Sequence, residues 1–61
     1  MPIIRVEMYE GRTVEQKREL ADVLTREACR ILKCPSDHVH IVIENRSKED
    51  WAIDGKLASD G

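Results

Sequence analysis

Phenylalanine is absent from this sequence, and the only other aromatic residues are Tyr9 and Trp51. In a chain of 61 residues that leaves little bulky apolar volume for a core. Domains this short bury a small share of their surface and usually need a staple or a partner subunit. Cysteine is scarce too, so a disulfide framework is excluded. Cys29 and Cys34 stand five apart and are expected to be free structural thiols. With His38 and His40 they do not complete a zinc-like spacing, so no metal centre is expected. No apolar run approaches the roughly 18 residues that span a bilayer, which excludes a membrane helix. A charged start followed by an apolar stretch is lacking, so the expected location is cytoplasmic. Neither charge sign dominates: 10 Lys and Arg against 12 Asp and Glu give a net charge of −2. Without a basic stripe to neutralise phosphates, nucleic acid is not the expected partner.

What remains is a soluble globular composition, 41% hydrophobic and 36% charged, without repeats or low-complexity segments. Residues 3–9, IIRVEMY, alternate so that Ile4, Val6 and Met8 share one face of a strand. Thr13 followed by Gln16 forms a capping box and predicts a helix starting near Val14. From Val14 to Lys33 there is neither Gly nor Pro, and Leu20, Leu24, Ala28 and Ile31 recur at helical spacing. Pro35 ends that helix. A second strand follows, with Val39, Ile41 and Ile43 on one face and His40, Val42 and Glu44 on the other. Strand, helix, strand within about 40 residues predicts a right-handed β-α-β unit with parallel strands. Asp54-Gly55 in the tail signals a short hairpin. The fold class is therefore α/β (α+β), a single domain over residues 1–61. Two strands do not make a viable sheet, so the fold is expected to be completed by oligomerisation.

Pro2 follows the initiator Met1 directly. Removal of Met1 would leave a secondary amine at the start of the strand. An apolar pocket disfavours the charged form of an amine and lowers its pKa towards neutrality, which suits a general base. Taken alone, Pro2 reads first as a rigid strand start. Arg12 alone is a solvated turn residue, and Trp51 alone is packing.

The chain resembles the 4-oxalocrotonate tautomerase family, the short-chain branch of the tautomerase superfamily, from Pro2 to Ser59. Its most specific motifs are the second-position proline, EGR-x-x-EQK at Glu10 to Lys17, and G-x-L-A-S at Gly55 to Ser59. The resemblance implies a cofactor-independent keto–enol tautomerase acting on a small carboxylated enol or 2-oxo acid. In it Pro2 carries the proton, and Arg12, supplied by a neighbouring subunit, binds the substrate carboxylate with its planar fork of donors. Trp51 stands where relatives carry phenylalanine and walls the pocket. The implied assembly is a homohexamer, a trimer of dimers.

One position departs from the family. The arginine that polarises the substrate's keto oxygen is replaced by His40, which offers one donor where a guanidinium offers a fork. His40 is therefore read either as an altered oxyanion contact or as a strand residue at a subunit contact. Two other functions stay open. One is a hydratase or dehalogenase acting on an unsaturated acid; such relatives carry a glutamate where this chain has Ile53, next to Asp54. The other is a carboxylate-binding oligomer that turns nothing over.

Overall fold

A computed structural model describes residues 1–61. Strand β1 (Ile3–Tyr9) runs into helix α1 (Val14–Leu32), which returns to strand β2 (His40–Arg46). The two strands are parallel and in register from Ile3 opposite His40 to Tyr9 opposite Arg46. Short strands β3 (Ala52–Ile53) and β4 (Lys56–Leu57) form an antiparallel hairpin at the end of the chain. Its turn has Asp54 and Gly55 at positive φ, as the Asp-Gly pair predicts.

Local chemistry accounts for each boundary. Thr13 and Gln16 close the capping box reciprocally, at 3.1 and 2.9 Å, satisfying two helix-start donors. The helix ends where Lys33 turns left-handed and its N–H donates to the Cys29 carbonyl. Cys29 and Cys34 are both free, and partial burial, reinforced by Cys34 beside it, pushes the Cys29 thiol up.

The helix covers the sheet face built from Ile4, Val6, Met8, Ile41 and Ile43, all half-buried. Its covered stripe is Lys17, Leu20, Ala21, Leu24, Thr25, Ala28 and Cys29. Ile31 departs from expectation. It has the right helical phase, yet it is 62% exposed. Nineteen helical residues reach about 28 Å, while seven strand residues reach about 23 Å, so the last helical turn overhangs the sheet.

This core is incomplete. Ala28 is the one buried residue of 61. The accessible surface is 4880 Å², against about 4000 Å² for a compact monomer of 7.0 kDa. The radius of gyration is 14.6 Å, where about 10.5 Å is usual for this length. The second face of the sheet lies open apart from its far end, where Trp51 packs on Tyr9. No helix of the chain is long and apolar enough to cross a membrane.

Candidate active site

The four predicted site residues fall into two groups at opposite ends of the sheet. At the starting end, the Pro2 carbonyl accepts a hydrogen bond of 3.0 Å from the His40 N–H. The parallel register alone produces this contact, since Ile3 faces His40. Pro2 is half-buried and the His40 side chain is exposed. The surroundings are apolar and uncovered: Met1, Ile3, Ile31 and Leu32 are all more than half exposed. The helix returns to this end because the crossover must deliver the chain to the start of β2.

At the far end, Gly11 takes a φ of +115°, which few residues with a Cβ adopt, and the chain turns there to present Arg12. Arg12 is exposed and makes no ion pair. Every other arginine has a carboxylate partner. Arg5 meets Glu44 at 3.3 Å and Arg46 meets Glu7 at 3.4 Å on the open face of the sheet. Arg18, Arg26 and Arg30 pair with Glu15, Asp22 and Glu27 along the helix. Arg12 is the guanidinium left available for an external anion.

Trp51 also lies at this end, half-buried and edge-on to Tyr9, with ring centroids 4.8 Å apart and planes inclined by 68°. The ammonium of Lys48 sits 5.5 Å from the Tyr9 ring centre, within cation–π range. Sequence reasoning singled out Trp51 and missed Tyr9. The available signal was an aromatic side chain ending β1 on the face the helix leaves open. A cavity of about 210 Å³ beside Arg12 is lined by Met8, Arg12, Gln16, Lys17 and Leu20.

Pro2 and Arg12 do not meet within one chain. Six strand steps from Ile3 to Tyr9 cover about 20 Å, well beyond the reach of an arginine side chain. An assembly that sets the start of one β1 beside the end of another would join the two groups. Among these residues there is no cluster of three or more metal-ligating side chains.

A two-stranded parallel β-α-β unit with an open sheet face and a terminal hairpin is the tautomerase architecture, and residues 2–61 match the tautomerase enzyme family. The chain belongs to that family. It is similar to a probable tautomerase of Bacillus cereus, 40% identical over 60 residues that cover 98% of both chains. The crystal structure of a 4-oxalocrotonate tautomerase homologue superposes with a TM-score of 0.93 at 38% identity, covering 100% of this chain and 97% of the other. A heterohexameric 4-oxalocrotonate tautomerase from Chloroflexus aurantiacus superposes with a TM-score of 0.91 at 32% identity, covering 98% and 97%.

Proposed function

We propose that this protein is a cofactor-independent keto–enol tautomerase acting on a small carboxylated enol or 2-oxo acid, such as a 2-hydroxymuconate-like compound. The observation that carries this reading is Arg12, the arginine without an internal partner, in the turn after β1 of a chain that belongs to the tautomerase family. Its fork of donors suits a planar carboxylate. With Met1 removed, the Pro2 nitrogen is a secondary amine among apolar neighbours. Desolvation lowers the pKa of such an amine, so a neutral fraction exists at physiological pH.

In the reaction, that amine takes a proton from the bound enol, and the electron pair shifts to form the carbonyl. The resulting ammonium returns the same proton to the far carbon, so no proton is gained or lost. Arg12 of a neighbouring subunit holds the carboxylate, and Trp51 with Tyr9 keeps water from the reacting carbons. The His40 ring offers the developing oxyanion one donor in place of a guanidinium. The assembly that unites Pro2 and Arg12 is a homohexamer of three dimers, and it works in the cytoplasm.

Three measurements on one preparation test this. Mass spectrometry should find Met1 removed, because an acylated proline nitrogen takes no proton. A panel of carboxylated enols and 2-oxo acids, followed by ultraviolet absorbance, should show turnover. Pro2→Ala should lower kcat on the order of a hundredfold or more. Met-free protein that binds these acids without isomerising them would replace the tautomerase with a carboxylate-binding oligomer.

A further inference from the structure

Lys17 lines the Arg12 cavity and, like Arg12, faces no carboxylate of the chain. It is half-buried, whereas the neighbouring helix residues Glu15 and Arg18 are exposed and paired with each other at 3.8 Å. Residues 15 and 18 therefore behave as a solvated helix face. Lys17 belongs to the covered one.

The rest of the cavity suits an acid. Met8 and Leu20 give it an apolar floor. Gln16 has its amide oxygen engaged by the Thr13 N–H at 2.9 Å, while its amide NH2 makes no hydrogen bond within the chain. Two cations and one amide donor thus border an open groove of about 210 Å³. That accommodates a carboxylate and a short hydrocarbon stem. A lysine lying on apolar surface usually extends its charged end to water with its stem buried; here its neighbour is a second unpaired cation. Two like charges without a counter-anion repel, so a bound anion relieves both.

We propose that Lys17 is a second anion contact of this site, which with Arg12 selects acids that present a carboxylate on a short apolar stem. This rests on the reading of Arg12 as the carboxylate anchor, and extends it to a residue of the helix. The division of labour follows from the two groups: Arg12 fixes the carboxylate plane with its fork, and Lys17 adds charge without fixing direction. Lys17 would touch the carboxylate end of the substrate with Arg12 and not the reacting carbons, so it acts on binding and leaves the proton transfer alone.

The test compares Lys17→Met and Lys17→Arg in the Met-free protein. Lys17→Met retains the apolar stem and the helix propensity, and circular dichroism with sedimentation verifies fold and assembly. For a carboxylated enol, Lys17→Met should raise KM about five- to thirtyfold with kcat unchanged, and Lys17→Arg should restore most of it. For the methyl ester of the same enol, KM should not move. Calorimetric binding of a saturated monocarboxylate with a four-carbon stem should weaken by the same factor, without any turnover being needed. Equal effects on acid and ester, or none on either, would overturn the assignment of Lys17. Loss of binding to Lys17→Met in a protein that isomerises nothing would uphold Lys17 and remove the tautomerase instead.

Discussion

The two ends of the β1–β2 sheet are built from opposite materials. At the Pro2 end the exposed apolar side chains Ile3, Ile31 and Leu32 gather, and the link between the strands is a main-chain hydrogen bond from His40 to Pro2. At the Arg12 end the open face carries the Tyr9–Trp51 pair with the Lys48 ammonium over Tyr9 and a network of Arg46, Glu7 and Glu44, while Arg12 itself stands unpaired. An amine that must lose its proton near neutral pH needs such an apolar end covered by another subunit, because only burial disfavours its charge. A carboxylate needs the second. One chain cannot place both environments at the same point, because a strand separates them by about 20 Å. On the proposed reading, each chain would supply half of two different sites.

The largest test of that division is at the cationic end. Arg12→Ala should lower kcat/KM by about 2–5 kcal/mol of transition-state stabilisation, mostly through KM, as for the loss of a hydrogen-bonded charge partner. The pKa of Pro2, read from the pH dependence of kcat/KM, should stay in place. An equal fall in kcat would mean that Arg12 acts on the chemistry, and the contrast between the ends would collapse.

His40→Arg tests the opposite end by adding a cation beside Pro2. A fixed donor to a developing oxyanion is worth up to about 3 kcal/mol, so turnover of a 2-hydroxydienoate should rise by as much as a hundredfold while KM changes less. The added charge should also lower the basicity of the Pro2 amine, moving the acidic limb of the pH profile to lower pH. Unchanged turnover would assign His40 to subunit packing.

Smaller effects separate packing from chemistry. In a double-mutant cycle, Tyr9→Ala with Trp51→Ala should return a coupling of about 1 kcal/mol in chemical denaturation, the usual worth of an edge-to-face ring pair beyond its buried area. A coupling near zero would detach the hairpin from the site wall. Thr13→Ala should cost about 1 kcal/mol of stability by removing the helix cap just after Arg12, with little change in KM. If KM rises with it, the capped turn positions Arg12.

Much of this was legible in the residues because local chemistry fixes local structure. The alternation of Ile4, Val6 and Met8 set the strand and its covered face, Thr13 and Gln16 set the start of the helix, and Asp54-Gly55 set the hairpin turn. The motif around Glu10 to Lys17 pointed to the tautomerase family, and with it to Pro2, Arg12, His40 and Trp51. Those four were proposed through resemblance, since no single one of them has a side chain or spacing that demands a role.

What only the tertiary structure decided depends on separations that no local pattern encodes. Ile31 has the helical phase of a core residue, and its exposure came from the length of helix relative to strand. Tyr9 met Trp51 because the tail folds back across more than forty residues. Whether Arg12 was free depended on where every carboxylate of the chain came to rest, and Lys17 joined it through the packing of helix on strand. The parallel register tied Pro2 to His40 and held Arg12 a strand's length away. Sequence fixes neighbours along the chain through sterics and hydrogen bonds over a few residues. Contacts between residues far apart in the chain, such as Tyr9 with Trp51, are set by the packing of whole elements, which no local pattern encodes.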